Sequence, residues 1–85
     1  MRPPSATASL RRALWRCRRG MKELDVLLER FARAALPAAP PVERVLFERL
    51  LECPDPLLAG YFLGGDLPAD PELAGLVRRI RSYVA

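Results

Sequence analysis

The stretch LRRALWRCRRGMKELDVLLERF, residues 10–31, decides the fold class. Leu10, Ala13, Leu14 and Cys17 stand at the i, i+3, i+4, i+7 spacing of an amphipathic helix. Leu24, Leu27, Leu28 and Phe31 repeat that spacing, and Ala35 extends the stripe. Between the two stripes lies Gly20, the residue that most readily takes the left-handed conformation past a helix end. Glu23 and Asp25 fall in the first turn of the second stripe, where the helix dipole favours acids. Two helices joined at a glycine corner are the reading.

Working outward, Ser9 is an N-cap candidate for the first helix, and Met1–Ala8, with two prolines, reads as a loose leader. The second helix is expected over about Met21–Leu36, ended by Pro37, Pro40 and Pro41. A third is expected over roughly residues 41–53. Its apolar set (Val42, Val45, Leu46, Phe47, Leu50, Leu51) is broad enough to predict burial on more than one side. In CPDPLL, Asp55 is a cap candidate and Pro56 suits a first helical position; Gly64-Gly65 closes that short helix. Asp70 and Pro71 repeat the device, and Leu73, Leu76, Val77, Ile80 and Val84 carry the last helix. No alternating strand pattern and no repeat is present. The expectation is an all-α, five-helix bundle over residues 9–85, built as one domain.

Composition bounds the function. The 85 residues suffice for one modest core, and 51% hydrophobic content argues against disorder. The net charge of +4 is uneven. Residues 1–22 carry seven bases and no acid, whereas the rest carries seven bases against ten acids. Such a pole attracts nucleic acid, anionic lipid or an acidic protein. The chain has no histidine, which removes the commonest general base, metal ligand and triad member together. Cys17 and Cys53 make no disulfide framework and read as reduced thiols. No apolar run reaches the length of a membrane span, no secretory h-region is visible, and an Arg-rich, acid-free N-terminus leaves a mitochondrial transit peptide as an alternative to a cytoplasmic protein.

On a wheel of 100° per residue, Arg12, Arg16 and Arg19 fall opposite the apolar stripe, with Trp15 nearer the arginines. Arginines on a helix face ordinarily just coat it, and a tryptophan ordinarily folds over a neighbouring helix. Arg19, Gly20 and Glu23 also have a plain structural reading: a cation at a helix end, a stop, and an acid at the next start. Crowding five arginines into three turns costs repulsion, however, and tryptophan with arginine is the composition of a binding hot spot. No phosphate-cradling glycine loop and no carboxylate pair stands out, and Tyr61 and Tyr83 read as core. An enzyme is not expected.

WRCRRGMKELD (15–25), FERLLECPDPLL (47–58) and LPADPEL (67–73) together resemble the FAD assembly factors of succinate dehydrogenase, the SdhE-type bacterial proteins and their mitochondrial counterparts. The resemblance runs in order from about Leu14 to Ile80. Its signature is RGxxE, here Arg19, Gly20 and Glu23, within the longer RGMxELD that ends at Asp25. It implies a five-helix bundle that binds the flavoprotein subunit of succinate dehydrogenase, and in bacteria fumarate reductase, and promotes covalent attachment of FAD to a histidine of that subunit. FAD would be held by the partner and not stably by this chain. The factor would act as a monomer, without nucleic acid and without membrane insertion. Carried over by position, Arg19, Gly20 and Glu23 would centre the contact, with Met21 and Asp25 at or beside it. Arg12 and Arg16 extend it by sharing the helix face. Tyr61 stands where the family often has tryptophan, and AAPP (38–41) where it often has a polar cap. The rival readings from charge are a small basic nucleic-acid-binding protein and a helix lying on anionic lipid.

Overall fold

Helix α2, Lys22–Ala34, organises the molecule and buries Leu24, Leu28, Phe31 and Ala32. The structure is a computed structural model that describes residues 5–83, with side chains from residue 10 onward. Around α2 stand α1 (Ser5–Arg16), α3 (Pro41–Leu51), α4 (Asp55–Phe62) and α5 (Pro71–Ser82). Helix α2 packs against α1, α4 and α5, and through Phe31 against α3. A short 3-10 turn, Leu36–Ala38, leads from α2 towards α3. Among the described residues there is no strand, and the all-α five-helix architecture holds.

One cluster of buried side chains joins all five helices: Ala13 and Cys17 at the end of α1, the α2 stripe, Phe47 and Leu50, Leu58 and Phe62, and Leu76, Val77 and Ile80. Leu10 and Leu14 pack against it. The apolar face of α1 is thus spent inside the protein, which removes the surface that a lipid-bound helix would need. Phe31 packs on Phe47 at a centroid distance of 5.7 Å and meets the edge of Tyr83, also at 5.7 Å. No helix among the described residues is long and apolar enough to cross a membrane.

Several boundaries differ from expectation. Helix α1 starts at Ser5, so Ser9 lies inside it and not at its start; after Pro4 nothing in the sequence opposes helix before Leu10. The leader expectation for residues 1–4, and Val84 as a member of α5, lie outside the described residues. Helix α3 buries Leu46, Phe47, Leu50 and Leu51, but Val42 and Val45 are 61% and 57% exposed. A single α3 face meets the core, so the broad stripe does not bring burial on a second side. Asp70 caps α5 as expected, accepting the Glu72 N–H at 2.8 Å. Asp55 does not cap α4: Pro54 occupies that position, and Asp55 is the first helical residue.

Candidate functional site

The corner between α1 and α2 is built by two polar side chains that turn inward. Its local path starts with the last turn of α1, where the Cys17 N–H is shared between the carbonyls of Ala13 and Leu14 (3.1 and 3.2 Å), and the Arg18 N–H reaches Trp15 (3.2 Å). Helix α1 has ended at Arg16, and Gly20 lies four residues on, at φ +86° in the linker. The glycine therefore turns the linker and does not cap the helix. Asp25, in the first turn of α2, reaches back over this linker. One carboxylate oxygen accepts the Arg19 N–H at 2.8 Å and the other the Gly20 N–H at 3.1 Å. Two backbone donors that would otherwise lack partners are satisfied by one charged acceptor, the stronger kind of hydrogen bond.

Arg19 does the same across the fold. Its Nε donates to Asp55 at 2.9 Å, Nη1 to the carbonyls of Arg16 (3.0 Å) and Leu51 (2.9 Å), and Nη2 to that of Cys53 (2.8 Å). Leu51 is the last residue of α3, where free carbonyls and the negative end of the helix dipole welcome a cation. The guanidinium thereby ties the α1–α2 corner to the α3–α4 joint, with its side chain only 15% exposed. One expectation is corrected here. Arg19 does not lie on the α1 face with Arg12 and Arg16, because α1 stops before it. Its fork is engaged by internal acceptors. The Asp55 carboxylate, read from the sequence as a cap, takes Arg19 instead.

What the clamp presents outward is Gly20, Lys22 and Glu23, all exposed. A Cβ on Gly20 would meet nothing within 4 Å, so that position faces open space. Met21 is half-buried against the core. Beyond Glu23, one face of α2 continues with Val26 and Leu27, which with Lys22, Glu23 and Leu63 line a hollow of about 380 Å³. On the other side of Gly20, Arg12 is exposed and Arg16 half-buried. Of the sequence-selected residues, then, Gly20 and Glu23 form the outward centre, Arg12, Arg16 and Met21 flank it, and Arg19 and Asp25 shape it from within. Sequence reasoning missed Asp55, Val26 and Leu63, which only the tertiary fold brings alongside. It also left out Arg18, which stacks on Trp15 with its guanidinium carbon 5.4 Å from the ring centre. The signal for that pair was Trp15 lying towards the arginine side of the wheel.

Nothing in this corner is equipped for bond-making. The Cys17 thiol is pushed up to about 12 by burial, reinforced by Glu29, and has no role as a nucleophile at neutral pH. Among the described residues no group of histidine, cysteine and carboxylate side chains could hold a metal. The corner is a shaped, charged surface, suited to recognition.

Proteins with this sequence pattern are known. Residues 11–84 match the family described as flavinator of succinate dehydrogenase. Similar curated proteins include an FAD assembly factor SdhE of Shewanella oneidensis, 44% identical over 91% of this chain and 94% of the relative. Another, of Coxiella burnetii, is 41% identical over 95% of each chain. A third, of Pseudomonas aeruginosa, is 41% identical over 88% of this chain and 89% of the relative. No solved structure matches. With the match running from the middle of α1 through α5 and across the whole Arg19–Asp25 corner, the chain belongs to the succinate dehydrogenase flavinator family.

Proposed function

We propose that this protein is an assembly factor, not an enzyme, which binds the flavoprotein subunit of succinate dehydrogenase and promotes covalent attachment of FAD to a histidine of that subunit. The observation that carries this reading is the family match over residues 11–84 of a chain whose exposed corner, around Gly20 and Glu23, is tied to the fold by Arg19 and Asp25. With no histidine in its sequence, the chain cannot supply the acceptor itself. Its contribution is binding. Glu23 is free to pair with a cation on the subunit, Gly20 allows close backbone approach, and Val26, Leu27 and Leu63 offer apolar contact. Arg19 and Asp25 act as positioning residues behind that surface. By population shift, the factor favours the subunit conformer in which FAD lies against its acceptor. Fumarate reductase is a second partner of the same kind. The factor works as a monomer in the cytoplasm and retains no FAD of its own.

The test combines flavin-free subunit, FAD and this protein, and follows flavin fluorescence of the denatured subunit on a gel. Stimulation by wild type, lost in Gly20→Arg and Glu23→Ala while both remain folded, is the expected result. If the factor binds flavin-free and mature subunit equally tightly and leaves the attachment rate unchanged, the population-shift mechanism is wrong.

A further inference from the structure

Trp15 is the only tryptophan in the chain, and it is 71% exposed. Its helix and the turn that ends it already bury Ala13 and Cys17 on the other side, so the fold does not use the indole. Arg11, Trp15 and Arg18 stand at i, i+4 and i+7, one stripe of α1 and the turn that ends it, and all three are exposed. Arg18 lies over the indole ring, and its backbone N–H bonds the Trp15 carbonyl, so the pair is held together at both side chain and backbone. The stripe ends two residues before Gly20 and thus runs into the corner described above.

Resting on the reading in the preceding section, we propose that Trp15 is the anchor of the contact with the flavoprotein subunit, inserting into an apolar slot whose two ends carry carboxylates facing Arg11 and Arg18. An indole flanked by cations on its own helix fits a slot of that charge pattern. Stacking by Arg18 limits the rotamers the indole must give up on docking, which lowers the ordering cost of association. Tryptophan and arginine at the centre of a contact carry most of its energy. A protein partner fits better than a nucleic acid, because the stripe leads in sequence into a corner that also presents the exposed Glu23 and the half-exposed Asp55 carboxylate paired with Arg19, which would repel a phosphate backbone.

The test measures equilibrium binding of wild type, Trp15→Ala, Trp15→Phe, Arg11→Ala and Arg18→Ala to flavin-free subunit at low and high salt, with the flavinylation rate followed in parallel. Trp15→Ala is expected to weaken binding at least about 30-fold. Trp15→Phe should keep part of the affinity. Each arginine variant should lose roughly 3–10-fold and show a flatter salt dependence. Excess Trp15→Ala factor should restore the flavinylation rate, since the anchor acts through affinity. Circular dichroism of the variants should match wild type, because the side chain lies outside the core. Fluorotryptophan incorporated at this sole site gives a readout independent of mutation: its resonance should shift when the subunit saturates the factor. Binding by Trp15→Ala within about twofold of wild type, with Gly20→Arg still defective, overturns the anchor and leaves the assembly role standing. An unshifted fluorine resonance in the saturated complex overturns it too. A duplex oligonucleotide that binds wild type but not Trp15→Ala, with subunit affinity equal in both, assigns the stripe to nucleic acid and overturns the proposal. If wild type neither binds nor stimulates any such subunit, both readings fall.

Discussion

Two corners of this molecule are each fastened by an arginine and an aspartate, and they differ in nearly everything else. At the α1–α2 corner, Arg19 meets Asp55 at 2.9 Å and three backbone carbonyls besides, with a side chain almost out of solvent. At the start of α5, Arg49 meets Asp70 at 3.0 Å through one nitrogen, and its side chain is half exposed. The first clamp joins segments 36 residues apart through four acceptors and shapes a surface; the second joins α3 to the start of α5, 21 residues apart, through a single exposed contact. The same two residue types therefore do different work, set by burial and by how many acceptors the guanidinium finds. It follows that the Arg19–Glu23 stretch is partly a folding device. Its arginine holds the corner, and its glycine and glutamate are what the corner shows.

The sharpest way to break this comparison is to remove the inner clamp. Arg19→Ala should cost about 2–4 kcal/mol in denaturant unfolding, since it strands Asp55 and leaves the Leu51 and Cys53 carbonyls to water. Arg19→Lys should recover only part of that, because an ammonium's three donors sit on one nitrogen and cannot span four acceptors that the guanidinium reaches from three nitrogens. Equal stability of Arg19→Ala and wild type would mean the clamp is ornamental and the pose of Arg19 serves the partner alone. Next in size, Gly20→Ala and Gly20→Arg should each lose about 1–2 kcal/mol from the positive φ, and by similar amounts, since neither side chain meets a neighbour. Partner binding should separate them, with arginine much the worse. Glu23→Ala sharpens the same contrast from the other side: stability should move by less than about 1 kcal/mol, the loss of one first-turn acid, while binding falls.

This division of labour explains what was legible in the sequence. The stripes at residues 10–17 and 24–31 gave two helices, because periodicity is local and each stripe ends in the core. The Asp70 cap was legible for the same reason: donor and acceptor are two residues apart. Asp55 looked identical to Asp70 in sequence, each followed by proline, yet one caps and the other pairs with Arg19. That choice depends on a residue 36 positions away, which no local pattern encodes. Adjacent Arg18 and Arg19 are likewise indistinguishable by type, but one stacks on an exposed indole and the other is enclosed. Val42 and Val45 misled because breadth of an apolar stripe says nothing about whether a second neighbour is available to cover it. Arg19, Gly20 and Glu23 were found together by their spacing in the motif; their separate tasks emerged only from the fold.

The weaker corner supplies the smallest effect and a direct check on sign. Asp70 is held below the usual carboxylate range, first by the Glu72 N–H it accepts and then by Arg49. A group whose folded pKa is depressed contributes stability that is present above its unfolded value and is lost as pH falls through the folded one. The cap's contribution should therefore fade only below about pH 4, and Asp70→Asn, still able to accept the Glu72 N–H, should flatten that acid limb while leaving the neutral melting temperature within a few degrees of wild type. Arg49→Ala should also stay within a few degrees at neutral pH and lose part of the same limb, as an exposed pair does. Were Arg49→Ala instead to match Arg19→Ala in cost, exposure would not be what distinguishes the two clamps, and the enclosed acceptors around Arg19 would lose their explanatory weight. The opposite limb belongs to Cys17, whose thiol is raised to about 12 by burial. Its neutral form is favoured by folding, so that stability is complete below the ordinary thiol range and declines as pH rises towards 12. Alkylation of native protein at pH 8 should accordingly spare Cys17 and find the half-buried Cys53 first. Modification of Cys17 without unfolding would show that the α1–α2 corner opens, which the clamp by Arg19 and Asp25 forbids.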